Sequence, residues 1–379
     1  MRVGIVVPHI FMHRDILPQV IFSPAELALD LAEGLQQRGA DATLFTPGSV
    51  DTPVRNITAD LSYFEAELAG RGDTYVDLLK KHPVTFITLA RQVQAELVAA
   101  AFAMANRGEL DVVHIYTNEE DIALPFAALC TKPVVFTHHD PFNFLVKYKN
   151  IFPKYKQLNW ISISEAQRKG MPAGTNWAGT VYHGIPQDLF APNYAPAGGY
   201  IAYLGRIIEP KGVHLAIDAV QAYNAAHSTP LRLKIAGKHY AGNKDSYWQE
   251  HIKPRIEADP HIEYVGFIKT PAEKQAFLGN AAALIIPSTF EEPFGMVMIE
   301  ALACGTPVIG LDSGAIPEVI QHQGNGLLVR KNDASYTLAD ALDAISTIDR
   351  HNCRASFEAR FTAQRMCRDH LALYQKLLV

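Results

Sequence analysis

The sequence predicts an α/β protein built as two doubly wound, Rossmann-like parallel-sheet domains. Three observations predict it. The chain has 379 residues, room for about two ordinary domains. Short β-branched runs alternate with longer amphipathic stretches, the pattern of strands joined by helical crossovers. The alternation halts at a proline- and glycine-rich stretch, QDLFAPNYAPAGG at 187–199, and then restarts.

VGIVV, residues 3–7, reads as the first strand. Ser23-Pro24-Ala25-Glu26 then supplies an N-cap, a proline at the first helical position and a capping-box glutamate. That helix should run to about Arg38 and stop at Gly39, with ATLFT as the next strand. Further strands are predicted at 112–115, 134–137, 160–163 and 180–182. After the linker come YIAYL, a helix from about Gly212, LRLKIA, IEYVG, a helix near 272–278 and AALII. PVIGL and a last helix from about Tyr336 follow. The economical arrangement is two such domains with a cleft between them.

Composition narrows the function. Hydrophobic residues make up 48% and charged residues 19%, which suits a water-soluble protein with sizeable cores. A formal net charge of −5 argues against a general electrostatic nucleic-acid surface. The four cysteines form no CxxC pair, so free thiols and a cytoplasmic location are expected. MRVGIVVPHIF has an apolar run too short for a signal peptide, and LVAAAFAMA falls short of a membrane span. Peripheral membrane contact has no support at this level.

Ligands of open α/β sheets gather where strands end and helices begin. Directly after YIAYL lies the first such loop, within YLGRIIEPKG at 203–212. Gly205 should let the backbone turn, and Arg206 and Lys211 place two cations beside a helix start. Helix N-termini favour anions, so a diphosphate is the natural guest; the plain alternative is a surface cluster of Arg206, Glu209 and Lys211. No Walker A loop and no GxGxxG in the first turn are present, which removes support from ATP-driven phosphoryl transfer and from dinucleotide hydride chemistry.

FEEPFGMVMIEALACGTPVI, 290–309, holds the second group. Glu292 should sit at the mouth of a helix starting near Gly295, with Glu300 about two turns inside. An acid among Met298, Ile299, Ala301 and Leu302 needs a partner. An internal Arg or Lys is one answer. The other is a vicinal diol donating two hydrogen bonds, and ribose is the usual diol of a nucleotide. In VVFTHHDP, the His138–His139 pair lacks carboxylates or cysteines at metal-ligand spacing, so no metal site is expected.

EEPFGMVMIEALACGTPVI, preceded by IIPS and followed by DSGAIPEVI, resembles the E-x7-E region of glycosyltransferase family 4, retaining GT-B enzymes with nucleotide-sugar donors. YLGRIIEPKG, IAGK, VGFI and TVYHGIP resemble that family's other blocks in the same order. The likeness spans essentially the whole chain and is strongest over 180–320. SISEAQR with TVYHGIP is similar to a bacterial branch often described as glucosyltransferases of small molecules.

The resemblance implies roles residue by residue. Arg206 and Lys211 would hold the donor diphosphate, Glu292 the transferred sugar and Glu300 the ribose diol. Gly205, Gly237, Phe294, Gly295 and Met296 would bring backbone close to the donor, with Phe267 and Ile268 flanking the base. His139 falls where the family often has a histidine facing the donor sugar. Glu291 has no family role and should be solvated. It also implies an acceptor-binding domain over 1–190, a donor-binding domain over 191–360, and a terminal segment, 361–379, crossing back onto the first. One departure stands out: Phe22-Ser23-Pro24 replaces the family's glycine pair, after a long loop at 8–22 with His9, His13, Arg14, Asp15 and Gln19.

The implied reaction is retaining hexosyl transfer, EC 2.4.1.-, from a nucleoside diphosphate sugar, UDP-sugar favoured, to an acceptor hydroxyl. No DxD motif is present, consistent with Arg206 and Lys211 replacing a metal. A sugar-nucleotide epimerase and a non-catalytic sugar-nucleotide-binding protein are the alternatives on the same donor site.

Overall fold

The computed structural model describes residues 1–20, 22–117, 122–239 and 245–379. Ile21 and the Gln19 side chain, both in the long first loop, lie outside the described residues. The chain divides into two compact units, Met1–Tyr182 with Ala363–Val379, and His183–Thr362.

The first unit holds a seven-stranded sheet in the order β3-β2-β1-β4-β5-β6-β7. Its strands are β1 Arg2–Val6, β2 Asp41–Thr46, β3 Arg55–Thr58, β4 Val112–Thr117, β5 Val134–His138, β6 Asn159–Ser162 and β7 Trp177–Thr180. Every pairing is parallel. β4 and β5 are buried along their whole length, as strands covered on both faces must be. The helix Ser23–Gln37 buries Leu27, Ala28, Leu31, Ala32 and Leu35, one stripe at helical spacing.

The helix Ala363–Leu377 belongs to this unit through close, partly polar packing. Gly34 faces it so tightly that a Cβ would sit 2.2 Å from Cys367 Sγ. Tyr374 Oη and Thr137 Oγ1 lie 2.6 and 2.7 Å from the two ring nitrogens of the buried His114. Burial holds the His114 pKa well below its ordinary value, so the ring is a neutral structural linker.

The second unit holds a six-stranded parallel sheet, order β10-β9-β8-β11-β12-β13. These are β8 Tyr200–Leu204, β9 Arg232–Ala236, β10 Ile262–Gly266, β11 Ala283–Ile286, β12 Val308–Leu311 and β13 Gly326–Val329. Strand order reverses between β8 and β11, which sit side by side.

Four local expectations need correction. The seventh strand is Trp177–Thr180, not 180–182, because Trp177 and Gly179 take the register opposite Trp160 and Ile161. Edge strands β3 and β13 were not predicted; β3, RNIT, is only half-buried and carries no apolar run. The stretch from Tyr336 is a short helix, Leu338–Ala344, capped by Thr337, with a separate helix at Arg350–Arg360. Ser23 is helical rather than capping: Phe22 holds the N-cap position, and no side chain caps that end. No described helix is long and apolar enough to cross a membrane.

Candidate functional site

Four neighbouring strands of the second unit send their carboxyl-end loops to the point of reversal. β8 leads to Gly205, β9 to Gly237, β10 to Phe267, and β11 to the Glu292 loop. This is where an open α/β sheet leaves a crevice, because adjacent crossovers depart to opposite faces.

The loop after β8 is braced from below. Gly205 N–H donates to Ala236 O at 3.1 Å and Ile207 N–H to Lys238 O at 2.9 Å. The buried Tyr203 hydroxyl donates to Arg206 O at 3.0 Å, and burial raises its pKa well above the ordinary value, so it stays a donor. Gly212 closes the loop at φ 73°, a left-handed conformation, and a Cβ there would lie 2.0 Å from Pro287 O. Gly205 needs neither: its φ is not positive, and a Cβ would meet nothing nearer than Tyr203 Oη at 3.5 Å. The expected backbone turn is thus made without demanding glycine at 205, where an added Cβ would make only ordinary van der Waals contact with Tyr203. Gly237 is pressed against Gly205, where a Cβ would come 1.8 Å from the Gly205 carbonyl oxygen.

The loops after β8 and β11 are joined directly. Thr289 and Phe290 N–H groups both donate to Pro210 O, at 3.0 and 3.2 Å. Lys211 Nζ is paired with Glu292 Oε1, and Glu292 is only 6% exposed. Glu292 is held from behind: its carbonyl accepts from Ala315 N–H at 2.8 Å, and Gly314, at φ 55°, leaves no room for a Cβ beside it. Breaking such a buried pair on one side costs about 3–5 kcal/mol, so the pair fixes both side chains. Lys211 keeps further N–H donors for a second anion. The Arg206 guanidinium is exposed and in no ion pair among the described residues. One cation is thus held and one stands open.

The helix beyond is Met296–Ala303, entered through Gly295 at φ 91°. Because residues 292–295 are not helical, Glu300 lies about one turn inside, not two. Phe294 is 1% exposed, with its ring 4.9 Å from His183, so its side chain is core and only its backbone can face a ligand. Glu300 Oε1 accepts from Lys274 Nζ at 2.7 Å. Its other oxygen, Oε2, is buried and has no hydrogen-bond partner among the described residues. The acid therefore has the internal lysine and an unused acceptor as well. Glu291 is exposed, yet its Oε2 accepts from Gly314 N–H at 3.1 Å, which corrects the expectation of a merely solvated side chain.

Phe267 and Ile268 are half-buried just past β10. Lys238 Nζ stands 4.2 Å over the Phe267 ring. His139 belongs to the first unit, at the carboxyl end of β5, half-buried with its ring 4.7 Å from that of Tyr116. Its neighbour His138 points inward: Nδ1 donates to Thr117 O at 2.9 Å, and burial pushes its pKa down to about 3.

Sequence reasoning missed Lys274, Lys238, and the Ser313–Ala315 turn behind Glu292. DSGAIPE contained that turn, but no residue type in it signalled a supporting role. Among the described residues, no group of three or more His, Cys, Asp or Glu side chains is placed to hold a metal ion.

Comparison with known proteins addresses the same region. Residues 198–347 match the model of the family described as glycosyl transferases group 1. A phosphatidyl-myo-inositol mannosyltransferase from Mycobacterium leprae is 25% identical over 364 residues, covering 91% of this chain and 87% of the relative. Among solved structures, a sucrose-phosphate synthase from Thermosynechococcus elongatus superposes with TM-score 0.70 at 18% identity, covering 100% and 99% of the two chains. Anabaena HepE in complex with UDP-glucose gives TM-score 0.66 at 17% identity over 99% and 100%. The two-sheet fold is GT-B.

Proposed function

We infer that this chain is a group 1 (family 4) glycosyltransferase that takes its sugar from a nucleotide sugar. From that premise we propose that it moves a hexosyl group from a nucleoside diphosphate sugar, UDP-sugar favoured, to an acceptor hydroxyl, without a metal and with retention. The observation that carries the reading is the union of loops 205–212 and 287–296 at the reversal of strand order, with Lys211 tied to Glu292 and Arg206 open.

Arg206 and Lys211 grip the diphosphate and stabilise the negative charge that grows as it leaves. Glu292, held rigid by Lys211 and the 313–315 turn, orients hydroxyls of the sugar. Backbone at Gly205, Gly237, Gly295 and Met296 approaches the donor closely. Glu300 Oε2 takes the ribose diol, while Lys274 is a positioning residue that keeps the carboxylate aimed. Phe267 and Ile268 flank the base, with Lys238 above the Phe267 ring. His139 supplies a hydrogen bond to the sugar; its support is the family resemblance.

In the proposed step, the acceptor oxygen bonds to the anomeric carbon on the face from which the diphosphate departs. The carbon–oxygen bond to the diphosphate breaks, and a diphosphate oxygen takes the acceptor proton. No protein nucleophile is used. A donor-by-acceptor screen read by product mass tests this: a glycosylated acceptor with released nucleoside diphosphate is expected. An isomerised sugar nucleotide formed from donor alone would sink the transferase reading.

A further inference from the structure

The turn after β13 carries a side chain to which the donor chemistry assigns no part. Lys331 Nζ donates to Thr289 O at 2.9 Å and to Ser313 Oγ at 2.8 Å. Those acceptors lie in the loops after β11 and β12, so one side chain from the sheet edge joins the loops of three adjacent strands. β13 and β11 stand two strand spacings apart, roughly 10 Å, a gap that needs a long side chain. The turn that aims it is ordered. Asn332 takes φ 63°, a left-handed conformation that asparagine tolerates, and Asp333 N–H donates to Arg330 O at 3.3 Å.

The contacts form a relay that ends on backbone. Ser313 is buried, and its one hydroxyl proton goes to Phe290 O at 2.9 Å. Toward Lys331, Ser313 Oγ can then only accept, and a lysine, which has donors and no acceptor, meets that demand. Thr289 O is taken by Lys331, Phe290 O by Ser313, and both N–H groups by Pro210 O. Every backbone N–H and C=O of residues 289–290 therefore has a partner, although Thr289 itself is exposed. Full pairing of loop backbone raises its local stability and fixes its path. Glu292 follows directly, and its pairing with Lys211 and its carbonyl's bond to Ala315 N–H both need that path held.

We propose that Lys331 is a positioning residue for the sugar half of the donor, acting through Thr289, Ser313 and Phe290 to set Glu292. The inference rests on the reading of Glu292 as the ligand of the transferred sugar. It carries a split that a merely structural lysine would not produce. Ribose and base fall to Glu300, Phe267 and Ile268, whose loop and helix positions do not depend on the relay. Loss of Lys331 should therefore spare the nucleotide and penalise the sugar attached to it.

Titration calorimetry of the full chain with UDP, UDP-glucose, UDP-galactose and UDP-N-acetylglucosamine tests the split, alongside hydrogen exchange without ligand. Lys331→Met should weaken the sugar nucleotide that wild type binds best by about tenfold, with UDP affinity within about twofold of wild type. Lys331→Arg, which keeps donors on a long stem, should recover most of the loss. Without ligand, the Thr289 and Phe290 amides should exchange about tenfold faster in Lys331→Met, while those of Gly205 and Ile207 keep their wild-type rates. Ser313→Ala should give the same binding split, and the double variant should be no worse than either single one, as members of one relay. Equal weakening of UDP and the sugar nucleotide, unchanged sugar-nucleotide affinity, or unaltered exchange at Thr289 and Phe290 would overturn the proposal and leave the donor reading standing. A wild type that binds UDP but none of the three sugar nucleotides would sink the donor reading, and the proposal with it.

Discussion

The loops that follow the first strand of each unit occupy equivalent places in similar folds, and they have opposite characters. In the first unit, His9, Phe11, His13 and Phe22 fill the space of that loop themselves. His13 is buried, and Gly48 lies so close that a Cβ would come 1.8 Å from the imidazole ring. His9 packs its ring 4.5 Å from Phe11 and 4.6 Å from Phe22. In the second unit, the loop after β8 is short, Arg206 stands exposed, and a Cβ at Gly205 would clash with nothing, its nearest neighbour being Tyr203 Oη at 3.5 Å. A strand-to-helix turn binds a phosphate only where backbone is left uncovered and a cation is near. The fold offers two such turns, and side chains close one of them.

The largest effect expected is on Arg206. Arg206→Ala should lower kcat by about a hundredfold, with a smaller change in donor KM, because its partner charge grows in the transition state. Steady-state transfer rates check this, and an unchanged kcat would erase the contrast between the two loops. The next break is a pair of matched substitutions. Gly205→Ala should leave the thermal midpoint unchanged, since the added methyl clashes with nothing in the fold, and weaken UDP binding roughly tenfold by crowding the donor. Gly48→Ala should do the reverse, costing about 1–3 kcal/mol of stability through the clash with His13 while UDP affinity stays intact. Calorimetry on both variants decides whether one loop serves a ligand and the other serves packing.

Smaller effects sharpen the picture. Lys274→Met should raise donor KM a few-fold, about 3–10-fold, without a matching fall in kcat, and Lys274→Arg should restore part of the loss. A purely structural lysine would lower the thermal midpoint and leave KM alone. A pH-dependent effect on stability alone lies on the filled side. Burial, aided by Glu26 and Glu33, raises the Asp30 pKa from 3.8 to about 7. The unfolded chain ionises at the lower value, so this group costs stability progressively as pH rises from 3.8 to 7, and constantly above. Asp30→Asn should therefore raise the thermal midpoint at about pH 8 and leave it nearly unchanged at about pH 4.

Legibility followed the source of each feature. YIAYL and IEYVG were readable because apolar runs bounded by glycine or polar residues encode strands locally, and the helix entered at Gly295 announced itself by its glycine. RNIT was not readable, since an edge strand borrows its structure from β2 and carries no periodic signal of its own. Among the site residues, the need of Glu300 for a partner was legible from its apolar neighbours. The partner was not, because Lys274 reaches it from another helix whose packing no local pattern encodes. The same holds for Glu292: its acid was visible, while its clamp by Lys211 and the 313–315 turn comes from tertiary contact. Ser23 shows the converse, a strong local capping pattern set aside because the preceding loop places Phe22 at the helix entrance.

The central claim is that the second unit's loops form a nucleotide site whose unused acceptor is Glu300 Oε2. Titration calorimetry of UDP into wild type and Glu300→Gln tests it most directly, since the variant keeps the side chain's size and loses its charge. The account predicts affinity weaker by roughly tenfold or more, the loss of a charge-assisted hydrogen bond to the ribose. Equal affinity in the two proteins would contradict it and leave Glu300 as the structural partner of Lys274.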